Sequence, residues 1–128
     1  MKKKVIAAAL LGVLASAAHA QSSVTLYGLL DVGVTYTNSQ VTVNGGHSNV
    51  QLVSGPVDGS RWGLRGAEDL GGGLKAIFTL ESGFNLNDGT LAYNGREFGR
   101  QAFVGLSSVD YGALTLGRQY DSMVDYVG

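Results

Sequence analysis

From Val24 to Thr37 the chain alternates two kinds of residue with a period of two. Val24, Leu26, Gly28, Leu30, Val32, Val34 and Tyr36 take the even positions, and Thr25, Tyr27, Leu29, Asp31, Gly33, Thr35 and Thr37 the odd ones. Successive side chains of an extended strand point to opposite faces, so this pattern predicts a β-strand with one apolar face. The run is about twice the ~5–6 residues of an ordinary globular strand. Related segments follow at Ser60–Glu68, Leu74–Phe84, Phe98–Ser108 and Ala113–Gln119. In the third strand Leu74, Ala76, Phe78, Leu80, Ser82 and Phe84 alternate with Lys75, Ile77, Thr79, Glu81 and Gly83. In the fourth, Phe98, Arg100, Ala102, Val104 and Leu106 share one parity, and neither face is clearly wet. The predicted fold class is all-β, an antiparallel up-and-down meander of five strands.

Residues 1–20 predict a signal peptide. Lys2, Lys3 and Lys4 form a basic start, Val5–Leu14 is an apolar stretch broken only by Gly12, and Ala18-His19-Ala20 supplies small residues for cleavage between Ala20 and Gln21. That stretch is too short for a membrane helix, which needs about 20 apolar residues. No apolar run of that length follows, so insertion into a membrane has to use strands. Long alternating strands behind an export signal fit a sheet with its apolar face to lipid and its polar face to water.

The connections alternate in length. Asn38–Asp58 predicts a long polar loop, Asp69–Gly73 a tight turn, Asn85–Glu97 a second long loop and Val109–Gly112 a second tight turn. Long loops on one side and short turns on the other are the habit of outer-membrane barrels. Twenty glycines against a single proline fit continuous, curved sheet.

Chemistry is scarce. The chain has no cysteine; beyond Ala20 the only histidine is His47, alone in a polar loop. Gly71-Gly72-Gly73 leads into a strand pattern, not the helix a phosphate cradle needs. No catalytic, metal or cofactor set is predicted, and the chain is not expected to be an enzyme. Beyond Ala20, Arg61, Arg65, Lys75, Arg96, Arg100 and Arg118 face ten acidic residues, which argues against a nucleic-acid partner.

Three blocks carry a resemblance: Val24-Thr25-Leu26-Tyr27-Gly28, then Ser60–Ala76 (SRWGLRGAEDLGGGLKA), then Phe98–Leu106 with Leu114–Asp121. In order and spacing they resemble the general porins of Gram-negative bacteria, of the neisserial and burkholderial type. The resemblance implies a cell outer membrane protein: a trimer of barrels of about 16 strands, each with a water-filled lumen narrowed by an inward-folded third loop. It implies passive diffusion of small hydrophilic solutes and ions, with a preference for anions. It also implies the partners: outer-membrane lipid and lipopolysaccharide, the barrel-assembly machinery and two further copies of the chain. Five strands cannot close such a barrel, so residues 21–128 are expected to be the N-terminal part of the barrel domain.

In a porin, charged side chains on the lumen wall set ion preference. By resemblance, Arg61 and Arg100 match positions of the basic wall near the constriction. Strand parity puts Arg61 and Arg65 on one face, opposite Trp62 and Leu64. An arginine in lipid near mid-membrane costs about 2–4 kcal/mol, which favours the lumen; headgroup level or cross-strand salt bridges are the competing sites. Asp31, Lys75 and Glu81 lie on the polar parity and are candidate pore-lining residues, while Arg118 is a candidate for the base of the third loop. Asp121 and Asp125 follow the fifth strand, where the family places its acidic constriction loop. Tyr36, Phe84 and Phe98 are candidates for an interfacial aromatic girdle or a subunit contact. A non-channel structural or surface-interaction β-domain, secreted or in the outer membrane, is the alternative, as is a non-functional fragment.

Overall fold

The computed structural model describes residues 22–43 and 45–121. The expected signal peptide, its cleavage point at Ala20 and Gln21, and Asp125 lie outside the described residues. In chain order the strands are β1 (Ser23–Leu29), β2 (Val32–Thr42), β3 (Gly45–Ser54), β4 (Arg61–Gly71), β5 (Leu74–Gly83), β6 (Gln101–Ser108) and β7 (Gly112–Arg118). A four-residue turn, α1 (Ala92–Gly95), precedes β6. Strands β1, β4, β5, β6 and β7 form one antiparallel sheet in that order, and β2 and β3 form a separate hairpin.

Register turns the alternation into two faces. Val24, Gly66, Phe78, Val104 and Leu116 fall in one cross-strand row, and Leu26, Leu64, Leu80 and Ala102 in the next. The opposite face carries Thr25, Arg65, Thr79 and Phe103 in one row and Tyr27, Gly63, Glu81 and Gln101 in another. Among the described residues nothing covers the apolar face: Val24 is 64% exposed, Leu26 69%, Val104 65% and Leu116 70%. Among the described residues no apolar side chain is buried, and the buried side chains are those of Ser60, Glu81 and Ser82. Each large aliphatic side chain left in water forgoes about 1.5–3 kcal/mol of burial, so a face of this kind has to meet something apolar.

At one end of the sheet the connections are short. Asp69 Oδ1 accepts a hydrogen bond from the Gly71 amide at 2.8 Å, and Gly71, Gly72 and Gly73 all take positive φ, which residues with a Cβ adopt at a cost. The β6–β7 turn packs beside it, with the Val109 amide donating to the Gly73 carbonyl at 3.2 Å. The other end carries the β2–β3 hairpin and the segment 84–100.

The strand pattern departs from the five-strand expectation in three ways. The predicted first strand, Val24–Thr37, breaks at Leu30–Asp31 into β1, which pairs with β4, and β2, which pairs with β3. The cause is local. Beyond Leu29 the partner strand has ended, and Ser60 Oγ accepts from the Asp31 amide and donates to the Asp31 carbonyl, both at 2.9 Å, stopping the ladder there. Second, the supposed loop Asn38–Asp58 contains β3, because Val50, Leu52 and Ser54 alternate in register with Tyr36, Val34 and Val32. Third, β6 begins at Gln101 and not at Phe98, so Arg100 precedes the strand and its direction is not set by parity. The described residues thus hold seven strands, of which five make the expected meander.

Candidate functional site

The polar face gathers charge at its loop end, around Glu81 on the central strand β5. Glu81 is 3% exposed. Its carboxylate accepts from the Tyr27 hydroxyl at 2.8 Å, from Arg100 Nε at 2.7 Å and from the Tyr120 hydroxyl. Burying a carboxylate is costly unless it is paired and hydrogen-bonded, and three donors meet that condition here. Tyr27 reaches Glu81 across β4, and it can do so because Gly63 lies between them. A Cβ at Gly63 would come within 2.8 Å of the Tyr27 hydroxyl oxygen and 2.7 Å of the Leu80 carbonyl.

Arg100 is held from several sides. Besides the Glu81 pair, its Nη1 donates to the Tyr93 hydroxyl at 2.9 Å, and its guanidinium lies 5.8 Å from the Tyr93 ring and 5.4 Å from the Tyr120 ring. Its sequence parity grouped it with Ala102 and Val104 on a strand of which neither face is clearly wet. Lying just outside β6, it turns to the face of Glu81. Tyr93 approaches from α1, where it and Asn94 take left-handed backbone angles, φ 55° and 62°.

Arg61 opens β4 and forms a two-pronged ion pair with Asp58, at 2.8 and 3.0 Å, plus a 3.2 Å bond to the Gly59 carbonyl. The Arg61 hydrogen bond holds the Asp58 carboxyl below the usual carboxylate range. Arg65 lies on the same face, exposed, with its guanidinium 5.3 Å from the Tyr27 ring. Tyr27, Asp58, Arg61, Glu81, Arg100 and Tyr120 line an open concavity of about 620 Å³.

The other expected residues lie elsewhere. Asp31 is taken up in structure: its carboxylate accepts from the amides of Val57 and Asp58 at 2.8 and 2.6 Å, and its carbonyl from Gly55 at 2.8 Å. Lys75 stands exposed near the short-turn end, opposite Asp69 and Ser107. Arg118 pairs in register with Ala102 and donates from Nε to the Gly99 carbonyl at 2.5 Å. Asp121 is exposed, just past β7. Among the expected girdle residues, Phe98 packs edge to face against Trp62 with ring centres 6.3 Å apart. Sequence reasoning missed Asp58, Tyr27, Tyr93, Tyr120 and Trp62 as members of these clusters. For Asp58 the signal was present, three residues before Arg61. For the tyrosines it was not, because they meet Glu81 and Arg100 only through strand register and loop folding.

The cluster supplies fixed charge and hydrogen-bonding groups along a wet wall. Among the described residues no group of three or more His, Cys, Asp or Glu could hold a metal ion. The sequence profile of Gram-negative porins matches residues 7–128. The chain is 49% identical to an outer membrane porin protein of Bordetella pertussis, over all of this chain and 36% of the relative. It is 46% identical to outer membrane porin protein 32 of Delftia acidovorans, over 92% of this chain and 32% of the relative. It is 36% identical to the major outer membrane protein P.IB of Neisseria meningitidis, over all of this chain and 40% of the relative. The chain thus spans between about a third and two fifths of these relatives' length. The anion-selective porin from Comamonas acidovorans superposes with a TM-score of 0.67 and 40% identity, over 84% of this chain and 30% of that one. By sequence profile, by relatives and by this two-faced antiparallel meander, the chain belongs to the Gram-negative porin family.

Proposed function

We propose that residues 21–128 form the N-terminal part of the wall of an outer-membrane porin, a water-filled channel for passive diffusion of small hydrophilic solutes and ions with a preference for anions. One observation carries this: a regular sheet whose apolar face is exposed along its strands while the opposite face carries the buried, fully hydrogen-bonded Glu81 and three arginines. A membrane lets backbone cross only where every polar group is paired, so the complete protein closes this sheet with further strands into a barrel of about 16, working as a trimer after cleavage at Ala20. Solutes are sorted by size and by charge on the wall. The anion preference is supported by Arg61, Arg65 and Arg100 standing on one face, and by the likeness to a porin named anion-selective.

The test is reconstitution of the complete protein in planar bilayers. Stepwise conductance, with a reversal potential in a KCl gradient that reports chloride over potassium, is the expected result. A detergent-independent, water-soluble protein that forms no channels would contradict it.

A further inference from the structure

A carboxylate interrupts the apolar face near the short turns. Glu68 pairs with Ala76 and so shares a face with Leu64, Gly66, Phe78 and Leu80. The Ser22 hydroxyl donates to its Oε2, and among the described residues Glu68 forms no ion pair. The cation of the adjoining row, Lys75, lies on the opposite parity, across from Asp69. Glu68 immediately precedes the Asp69–Gly73 turn. In outer-membrane barrels the short turns lie on the periplasmic side, and a charge on the lipid face is tolerated near the interface far better than at mid-membrane. The carboxylate also stands at one end of a furrow. Ser22, Val24, Glu68, Ala76, Phe78 and Val104 line an open cavity of about 370 Å³, within the ~300–1,000 Å³ common for ligand pockets. Two small residues make room for it: Ala76, and Gly66, where a Cβ would collide with the overlying Phe78 ring. Ser22, Glu68 and Ala76 hold the end nearer the turns, and Val24, Phe78 and Val104 form the next cross-strand row toward the middle of the sheet. The furrow is thus charged at one end and apolar beyond it, the pattern of an amphiphile lying along the strands.

We propose that Glu68, steadied by Ser22, is the headgroup site for a membrane lipid that carries a primary ammonium, with an acyl chain of that lipid in the furrow. This rests on the reading above, in which the apolar face meets lipid. Charge complementarity selects the headgroup. A carboxylate attracts a cation, and its remaining lone pairs accept N–H bonds, which are stronger when both partners are charged. A trimethylammonium headgroup brings the charge without an N–H to donate. A headgroup whose net charge is negative is repelled.

The experiment uses the complete protein in detergent, mixed with phosphatidylethanolamine, phosphatidylcholine or phosphatidylglycerol of matched chains, and counts the retained lipid by native mass spectrometry. The parent protein retains phosphatidylethanolamine about fivefold more than phosphatidylcholine, the effect of one partly exposed ion pair, and phosphatidylglycerol least. Glu68→Gln brings phosphatidylethanolamine down to the level of phosphatidylcholine. Glu68→Lys turns the preference toward phosphatidylglycerol; where that variant fails to assemble, the nearly isosteric Glu68→Gln decides. Ala76→Leu keeps the carboxylate but fills the furrow, and lowers the retention of all three lipids. Equal retention of the three lipids by the parent, or a preference that survives in Glu68→Gln, overturns the site. So does a Glu68→Gln variant whose oligomer dissociates at a lower temperature while its lipid preference stands, because the carboxylate then serves a neighbouring subunit. A parent protein that forms no channels and stays in solution without detergent overturns instead the reading on which the site rests.

Discussion

Glu81 concentrates the energetics of the site into one side chain. It sits on the wet parity of β5, as the alternation of Leu74–Phe84 predicts, yet it is buried, because Tyr27, Tyr120 and Arg100 close over it. Its removal is therefore expected to act twice. Glu81→Gln leaves Arg100 without a counter-charge, so the chloride preference of the channel rises, and it destabilises the protein by about 3 kcal/mol, in line with breaking a buried pair. Reversal potential and denaturant midpoint measure the two effects separately. Gly63→Ala tests the same contact from beneath: its Cβ crowds the Tyr27 hydroxyl and should cost about 1–3 kcal/mol with the charge unchanged. At Asp58 the sign follows from the direction of its shift. Its folded carboxyl is depressed by Arg61, so the pair contributes at pH above the ordinary carboxylate value, about 3.9, and is lost as pH falls through the lower folded value. Acidification from pH 6 to below that lowered value is thus expected to free Arg61 and strengthen anion preference, and Asp58→Asn to give that preference already at pH 6. Parity made Arg61 and Arg65 legible in the sequence. It left the face of Arg100 open, because parity governs a side chain only while the backbone stays in the strand.

Among the elements, the β2–β3 hairpin was the least legible. Its residues include Asn49, Gln51 and several glycines, a composition that reads as loop, while the alternation Val50, Leu52, Ser54 is short and meaningful only opposite Tyr36, Val34 and Val32. The break that creates it depends on Ser60, whose hydroxyl bridges the amide and carbonyl of Asp31. Ser60→Ala leaves those groups to find other partners, at a cost of about 1–3 kcal/mol. The loss should be local: amide exchange in β2 and β3 speeds up, while that in β5 and β6 stays at the parent rate. Exchange rising equally across both sheets would show that the hairpin is not an independent unit. The five strands of the main sheet were legible because each runs long enough for its alternation to stand out, with Asp-Gly turn chemistry between β4 and β5.

At the scale of the whole sheet, the decisive property is that apolar and polar residues are segregated by face, with no apolar side chain buried among the described residues. Periodicity alone shows that two faces exist; it does not show that the apolar one stays uncovered, which required the register of five strands. The central claim is that this face meets lipid and its opposite meets water. The most direct measurement is cysteine scanning along β5 of the complete protein in lipid bilayers, at Ile77, Phe78, Thr79 and Leu80, using a charged thiol reagent in water and a lipid-phase quencher. The account predicts that positions 77 and 79 react with the aqueous reagent, while labels at 78 and 80 are quenched from the lipid. Aqueous reaction at 78 and 80, or no alternation along the strand, would contradict it.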